Sequence, residues 1–276
     1  MAFHSTFRNF APNMSYTINV GGRLLDLSAP LVMGILNVTP DSFFSGSRMQ
    51  TEEEIAARAR QVIAEGGAII DVGACSTRPG GVLATQQEEM ARLRIALSVV
   101  RRELPDAILS VDTFRPDVAK MAVEEYGADI INDVEGSDAM FRLVSRLGVP
   151  YIYMSSAPTL HDVLLDFSRS VQALRDLGQK DIILDPGFGF GKTLEQNHEL
   201  LHGLELLRVM QLPILVGVSR KSMIWKLLGI TPDQALNGTT VLHTMALLKG
   251  ASILRVHDVR EAVEAVKLIG PSTFAP

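Results

Sequence analysis

The chain has 276 residues, of which 47% are hydrophobic, and its formal net charge at pH 7 is −5. That length suits a single (β/α)8 barrel, which is typically ~250 residues long. The weak acidic balance excludes a broad basic surface, so we expect no nucleic-acid partner. No apolar run reaches the roughly 18 residues of a membrane helix, so we expect no membrane span. The sole cysteine, Cys75, excludes an internal disulfide and fits a reducing, cytoplasmic compartment.

The first 27 residues precede the repeating part of the chain. Residues 1–15 contain no apolar signal core, and we expect a flexible N-terminal arm. They contain Arg8 and no acidic residue, so a transit peptide is the alternative. In residues 16–27, YTINVGGRLLDL, two short alternating runs flank Gly21-Gly22, which predicts a β-hairpin. We expect this hairpin to cap the bottom of one domain formed by residues 16–276.

Eight apolar runs follow, spaced so that one helix fits between each successive pair. They centre near Val32, Ile69, Ile108, Ile130, Tyr151, Ile182, Ile214 and Ile253. The runs are nearly continuous rather than alternating, which is typical of parallel strands buried on both faces. Strands that alternate with helices in this way predict an α/β protein of the (β/α)8 TIM-barrel type. An open doubly wound sheet is the alternative.

Helical periodicity fills the spaces between these runs. Apolar stripes in residues 90–104 and 259–269 predict two of the helices. Thr231, followed by proline, predicts the start of a long helix that runs through Leu248. A further helical turn is expected over residues 221–228.

Polar side chains follow almost every predicted strand, at the point where the strand ends. They include Asn37, Ser110, Asp112, Asn132, Asp133, Asp185, Ser219, Arg220, Lys221, Arg255 and His257. The carboxyl ends of barrel strands meet at one rim, where barrel enzymes build their active sites. A strand-end Asp is often only the N-cap of the next helix, and we assign that role to Asp258.

The strand-end residues divide into a cationic group and an acidic group. Ser219, Arg220, Lys221, Arg255 and His257 follow the last two strands, where this fold usually binds phosphate. A cationic site on an acidic protein predicts a phosphate or pyrophosphate ligand. The acidic group is Asp112, Asn132 and Asp185. Buried carboxylates need donors, which a heterocycle with ring N–H and amino groups would supply.

The segment PGFGFGKT resembles a nucleotide phosphate loop but does not match one. Counting back from Gly191, the first glycine of that loop would fall on Pro186. We therefore interpret these glycines as allowing the backbone to approach a flat ligand closely.

Taken together, the stretches GILNVTPDSF, STRPGG, SVDT, IINDV, DPGFGFGK, GVSRKSMI and RVHDV resemble the dihydropteroate synthase family of pterin-binding enzymes. The resemblance implies a transferase of folate biosynthesis. Such an enzyme condenses 6-hydroxymethyl-7,8-dihydropterin pyrophosphate with p-aminobenzoate, giving 7,8-dihydropteroate and pyrophosphate by SN1-like loss of pyrophosphate. It also implies inhibition by sulfonamides, which mimic p-aminobenzoate, and a homodimer formed through the long helix and the last helix.

The resemblance also implies roles for individual residues. The pterin would contact Asp112, Asn132, Asp185, Lys221, Met154 and Phe190. The pyrophosphate would contact Asn37, Arg78, Arg255 and His257, with Mg2+ on Asn37. The p-aminobenzoate would contact Thr77, Pro79, Phe43, Phe190, Ser219 and Lys221. The catalytic set would be Asp112, Lys221, Asn37, Arg255 and His257.

Two positions depart from the family pattern. Cys75 stands where the family usually has Glu, and residues 153–156 read Tyr-Met-Ser-Ser where the family commonly has His-Met-Arg/Lys-Gly. Three alternative functions stay open at this point, of which the first is motivated by the departure at residues 153–156. They are a non-catalytic pterin-binding paralogue, a pterin-dependent methyltransferase that acts with a corrinoid protein, and a sugar-phosphate barrel enzyme.

Overall fold

A computed structural model describes residues 16–39, 48–75 and 83–270. The strands in those ranges are β1 (Thr17–Val20), β2 (Arg23–Asp26), β3 (Leu31–Asn37), β4 (Ile69–Gly73), β5 (Ile108–Asp112), β6 (Ile130–Asp133), β7 (Tyr151–Met154), β8 (Ile182–Asp185), β9 (Leu215–Val216) and β10 (Ile253–Val256). The α-helices are α1 (Arg48–Ala64), α2 (Gln86–Glu103), α3 (Pro116–Tyr126), α4 (Asp138–Leu147), α5 (Leu160–Asp176), α6 (Leu194–His202), α7 (Ser222–Leu228), α8 (Leu236–Leu248) and α9 (Val259–Ile269). Short 3-10 helices span Leu204–Met210 and Pro232–Gln234.

Strands β3 to β10 form a closed parallel barrel. Their order around the sheet is β8-β7-β6-β5-β4-β3-β10-β9, and every pair in this sequence is parallel. The two ends of the sheet meet where the backbone N–H of Leu184 donates to the carbonyl of Pro213 at 2.9 Å. Each predicted apolar run lies in a barrel strand or, at Ile214, bridges to one. The (β/α)8 prediction is confirmed, and the open doubly wound alternative is wrong.

The predicted hairpin is also confirmed. Strands β1 and β2 pair antiparallel around Gly21 and Gly22, whose φ angles of 55° and 82° suit glycine at both turn positions. Ile18 and Val20 are buried against the lower ends of the barrel strands. The hairpin therefore closes the bottom of the barrel, opposite the rim that carries the polar strand ends.

Side chains inside the barrel form an apolar lower layer and a polar upper layer. The lower layer includes Met33, Ile69, Ile130, Ile152, Ile183, Leu215 and Ile253. Successive side chains of a strand point alternately into and out of the barrel. The inward side chains two or four residues further along each strand therefore form the upper layer. That layer includes Asn37, Asp71, Ser110, Asp112, Asn132, Asp185 and Arg255. The apolar layer is a packed floor, so a ligand can enter only from the top.

Helices α2, α7 and α9 confirm three helix predictions, but the long helix from Thr231 is wrong. The chain makes a 3-10 turn over Pro232–Gln234, and α8 begins separately after Ala235. The start of α8 lies very close to α7, since a Cβ added to Gly238 would be 2.4 Å from a methyl group of Ile224. This packing fixes the direction of α8 independently of the preceding turn.

Several predictions fall outside the described residues. These are the N-terminal arm over residues 1–15 and the ligand roles of Phe43, Thr77, Arg78 and Pro79. No helix in the described ranges is long and apolar enough to cross a membrane.

Candidate active site

The upper layer of the barrel brings together most of the predicted strand-end residues. Arg255 lies at its centre. Its Nη2 donates to Asp112 Oδ2 at 2.6 Å, and its Nε donates to Asp71 Oδ2 at 2.7 Å. Although burial acts in the opposite direction, the two carboxylates raise the pKa of Arg255 above its usual value. The guanidinium therefore remains charged and has a fixed orientation.

Asp112 is a carboxylate of this layer whose pKa is shifted by its surroundings. Burial, helped by the charges of Asp71 and Glu89 and opposed by Arg255, raises the pKa of Asp112 to about 7. A ligand that brings positive charge or an N–H donor would stabilise the ionised form of this carboxylate.

Asn37 and Asp112 face each other across a glycine. A Cβ added to Gly73 would lie 3.4 Å from Asn37 Oδ1 and 3.6 Å from Asp112 Oδ2. The absent side chain leaves the two oxygens room to approach a common ligand. An amide oxygen beside one carboxylate suits Mg2+, which takes one or two protein oxygens and completes its shell with phosphate and water. Among the described residues, no group of three or more His, Cys, Asp or Glu side chains could hold a metal ion.

On the opposite wall, Asp185 and Lys221 form a second pair of charges. Burial raises the pKa of Asp185, against the opposing charge of Lys221, and its Oδ1 accepts from the Gly187 N–H at 2.8 Å. Burial lowers the pKa of Lys221 to about 8, although Asp185 counteracts this. The Lys221 ammonium donates to the Phe188 carbonyl and lies 4.8 Å from the centre of the Phe190 ring. Phe190 and Lys221 thus share one wall, as the resemblance implies.

The glycines of the segment after β8 approach other parts of the protein closely, which the sequence interpretation did not include. Gly187, Gly189 and Gly191 all have positive φ, between 60° and 80°. A Cβ on Gly187 would lie 2.1 Å from the Ser155 carbonyl, and one on Gly189 would lie 3.2 Å from the Lys221 side chain. These glycines let the segment fold tightly against the end of β7 and against Lys221.

Lys192 secures this segment to β7. Its ammonium donates to the carbonyls of Ser155, Gly187 and Phe190 at 3.2, 3.0 and 3.3 Å. Burial lowers the pKa of Lys192 to about 8. With three protein acceptors it has a structural role, unlike the lysine of a nucleotide phosphate loop.

Ser219 and His257 lie at the ends of adjacent strands, as predicted. The backbone N–H of His257 donates to the buried Ser219 Oγ at 3.2 Å. The Arg58 guanidinium donates to the His257 carbonyl at 2.7 Å and to the Ile35 carbonyl at 3.2 Å. Arg58 therefore fixes the backbone that presents His257 at the rim.

The sequence prediction was wrong for Arg220, whereas the N-cap position predicted for Asp258 is confirmed. Arg220 does not join the cationic site, because its Nε and Nη2 pair with the two oxygens of Asp258 at 2.8 Å each. Asp258 occupies the N-cap position of α9, but its side chain makes no capping hydrogen bond. The carboxylate is used by Arg220, which joins the end of β9 to the start of α9.

The departure at residues 153–156 lies largely on the helix side of the barrel wall. Met154 points toward the lumen and is buried, whereas the neighbouring Tyr153 points outward. The Tyr153 ring packs edge-on against Phe141, and its hydroxyl donates to Asp166 at 3.0 Å. The tyrosine thus replaces the usual histidine at a position outside the polar layer. Cys75, the other departure, is a partly buried free thiol.

Sequence reasoning missed Asp71, Lys192 and Arg58 as contributors to this site. Asp71 carried a usable signal, since a charge inside a continuous apolar strand needs partners within the barrel. Lys192 and Arg58 gave no such signal, because both act on backbone carbonyls that the sequence does not bring together.

The comparisons with known proteins agree with this geometry. Residues 33–257 match the family model described as a pterin binding enzyme. The chain is 38% identical to the dihydropteroate synthase of Escherichia coli strain K12 over 265 residues, which cover 90% of this chain and 93% of that protein. It is 37% identical to the dihydropteroate synthase of Bacillus subtilis over 250 residues, or 87% of each protein.

Solved structures give the same result. A dihydropteroate synthase of Xanthomonas albilineans with 4-aminobenzoic acid aligns with a TM-score of 0.89 and 35% identity, covering 95% of this chain and 100% of that chain. A Yersinia pestis dihydropteroate synthase in a sulfonamide drug complex aligns with a TM-score of 0.84 and 35% identity, covering 92% and 98%.

Proposed function

The chain belongs to the pterin-binding enzymes, within the dihydropteroate synthase family, and on that premise we propose the reaction that its barrel carries out. The proposed reaction joins 6-hydroxymethyl-7,8-dihydropterin pyrophosphate to p-aminobenzoate, giving 7,8-dihydropteroate and pyrophosphate. The observation that carries the proposal is the polar layer above an apolar floor, where acceptors of Asp112, Asn132 and Asp185 surround the cations Arg255 and Lys221.

The pterin is proposed to lie flat in this layer. Its ring N–H and amino groups would donate to Asp112, Asn132 and Asp185, because buried carboxylates and amides require donors. The Lys221 ammonium would donate to a ring acceptor. Met154 and Phe190 would contact the faces of the ring.

The pyrophosphate is proposed to lie at the rim beside Arg255 and His257, with Arg78 from outside the described residues. Mg2+ is proposed on the amide oxygen of Asn37, and when bound it would neutralise charge on the leaving pyrophosphate. The position of Asn37 beside Asp112 supports this site, because it offers few protein oxygens and leaves space for phosphate.

The p-aminobenzoate is proposed to bind at the wall formed by Ser219, Lys221 and Phe190. Phe43, Thr77 and Pro79 would complete this subsite from outside the described residues. The relatives solved with 4-aminobenzoic acid and with a sulfonamide drug support both the substrate and inhibition by sulfonamides.

The proposed mechanism begins with loss of pyrophosphate. The bond between the pterin methyl carbon and the pyrophosphate oxygen breaks, and the electron pair leaves with the oxygen. The positive charge spreads into the pterin, where the Asp112 carboxylate stabilises it, while Arg255 and His257 stabilise the departing anion. The arylamine nitrogen then bonds to the carbon and releases a proton to pyrophosphate or solvent. No strong base is required, so positioning and electrostatics supply the catalysis.

The molecular context is proposed as well. The single Cys75 supports a cytoplasmic location, where thiols remain reduced. A homodimer through α7, α8 and α9 is supported by their half-exposed or exposed apolar side chains, which are Leu227, Leu228, Val241, Leu248 and Leu268.

Turnover by the purified protein tests the proposed function. We expect dihydropteroate and pyrophosphate to form in equal amounts only when the pterin pyrophosphate, p-aminobenzoate and Mg2+ are all present. Tight binding of the pterin pyrophosphate without product would instead indicate a non-catalytic pterin-binding protein.

A further inference from the structure

Asp71 is a buried carboxylate at the centre of the polar layer that no substrate role above includes. It is the middle residue of β4, opposite Ser110 of β5, and its side chain is fully buried. Its Oδ1 accepts from the Ser110 hydroxyl at 2.6 Å. Its Oδ2 accepts from Arg255 Nε at 2.7 Å and from Asn132 Nδ2 at 3.3 Å. An isolated carboxylate here would be strongly destabilising, and these three donors compensate its charge.

The contact with Asp71 determines which way the Asn132 amide faces. A side-chain amide can present either its oxygen or its nitrogen to a ligand, and the hydrogen-bond network decides between the two. An ionised carboxylate only accepts, so Asn132 must turn its nitrogen toward Asp71. Its oxygen then faces away, as an acceptor available to a ligand N–H.

The same carboxylate determines the plane of the Arg255 guanidinium. Asp71 accepts from Nε and Asp112 accepts from Nη2, so two nitrogens of the guanidinium are held by residues of two different strands. A planar guanidinium held at two points cannot rotate about its terminal bond. Arg255 is thereby held in one orientation beside the proposed pyrophosphate position.

We propose that Asp71 is a positioning residue that prepares the pterin subsite by fixing Asn132 as an acceptor and by holding Arg255 in one orientation. The inference rests on the proposed function, because it concerns the same pterin site. Asp71 acts through these two neighbours and leaves the p-aminobenzoate wall at Ser219 untouched.

The experiment measures binding of 6-hydroxymethyl-7,8-dihydropterin pyrophosphate by calorimetry, without p-aminobenzoate, together with steady-state kinetics. We expect Asp71→Asn to bind the pterin about 10- to 100-fold more weakly. The introduced amide can donate as well as accept, so it no longer determines which way the Asn132 amide faces. The KM for p-aminobenzoate should stay within about threefold of wild type. Ser110→Ala is the matched control. It removes a donor from the same carboxylate but leaves the contacts of Asp71 with Asn132 and Arg255 in place, so its loss of pterin affinity should be several-fold smaller than that of Asp71→Asn.

A double-mutant cycle separates positioning from general support of the fold. If Asp71 acts through Asn132, then Asp71→Asn should weaken pterin binding much less when residue 132 is already alanine than it does in the wild-type protein. Fully additive losses, or an Asp71→Asn variant that binds the pterin as tightly as wild type, would overturn the proposal. Wild-type protein that binds the pterin but makes no product would count against the proposed reaction and leave the cycle interpretable.

Asn132→Asp provides a second route if Asp71→Asn does not fold. A carboxylate at residue 132 would repel Asp71, so we expect pterin binding at least about tenfold weaker than wild type. If residue 132 merely needed to present an oxygen, this variant would bind as tightly as wild type, and that result would also overturn the proposal.

Discussion

At the scale of single residues, the site is a balance of buried charges rather than a set of independent contacts. Arg255 forms ion pairs with both Asp71 and Asp112, and the charge of Lys221 opposes the effect of burial on the pKa of Asp185. Buried ion pairs of this kind contribute little net stability, because desolvation offsets the attraction. These pairs instead hold charged groups in fixed positions before the ligand binds. A planar ligand with both donors and acceptors can then form hydrogen bonds with them in place of water.

The ionisation of two groups predicts the pH dependence of the reaction. Asp112, with its pKa raised to about 7, must be ionised to accept from the pterin, so kcat/KM should rise as the pH passes through about 7. Lys221, with its pKa lowered to about 8, must be protonated to donate, so kcat/KM should fall above about pH 8. A plot of kcat/KM against pH should therefore be a narrow bell, and its two limbs should report the pKa values of these groups in the free enzyme.

Lys221→Arg tests the assignment of the basic limb. Its guanidinium stays protonated throughout the accessible pH range, so the fall above about pH 8 should disappear while the acidic limb remains. The overall kcat/KM should be lower, since arginine does not reproduce the ammonium geometry. A basic limb unchanged from wild type would mean that another group titrates there.

Residue types at the rim could be predicted from the sequence, but the use of each side chain could not. Asn37, Asp112, Asn132, Asp185, Lys221, Arg255 and His257 all follow strands, and strand ends meet at one rim. Arg220 follows a strand too, yet it pairs with Asp258 on the helix side. The position of a residue after a strand predicts that it lies at the rim. Which side chain it pairs with depends on the three-dimensional packing, which the sequence does not reveal.

At the scale of elements, the segment between β8 and α6 forms one wall of the site through backbone contacts. Gly187 lies against the Ser155 carbonyl at the end of β7, and Lys192 bridges the same carbonyl to the segment. Thr193 then caps α6 with a capping box that includes Gln196. The conformation of this segment sets the positions of Asp185 and Phe190.

Gly187→Ala tests the role of this packing, with Gly148→Ala as the matched control. Both glycines have φ near 70°, so alanine at either position costs about 1–2 kcal/mol in backbone strain. Gly148 has open space around it, whereas a Cβ on Gly187 would lie 2.1 Å from a carbonyl oxygen. We expect Gly148→Ala to keep full pterin binding.

Gly187→Ala should unfold at lower urea concentration than the control, by roughly 1–3 kcal/mol more, and should bind the pterin more weakly. Urea unfolding and calorimetry measure the two effects. Equal losses in both variants would show that the contact with β7 is unimportant.

Element boundaries show where sequence reasoning ends. The continuous apolar runs predicted the barrel because both faces of each strand are covered. The long helix from Thr231 was wrong because local capping signals cannot reveal that Gly238 must approach Ile224 of α7. The close contacts of the glycines after β8 with Ser155 and Lys221 were missed for a similar reason, since these neighbours are distant in the chain.

At the scale of the whole molecule, the exposed apolar side chains of α7, α8 and α9 predict self-association. Val241 and Leu248 of α8 are about half exposed, and Leu268 of α9 is 87% exposed. We expect light scattering to give about twice the chain mass of 30.1 kDa at micromolar concentration. Glutamate at both Val241 and Leu248 should produce a monomer, because it places charge in the apolar contact.

Leu165→Glu is the control for this prediction. Leu165 is 43% exposed, but it lies on α5, whose neighbours among the helices around the barrel are α4 and α6. This variant should remain a dimer. A monomeric wild-type protein, or dimers in all variants, would contradict the assignment of the interface.

The central claim is that Asp112 stabilises the positive charge left by pyrophosphate departure, and Asp112→Asn tests it most directly. The measurement is the single-turnover rate of product formation at saturating substrates, beside the dissociation constant of the pterin pyrophosphate. We predict a rate about 10²- to 10³-fold below wild type with much smaller loss of pterin affinity, because the carboxylate acts mainly in the transition state. Equal losses in rate and affinity would contradict the account and make Asp112 a binding residue only.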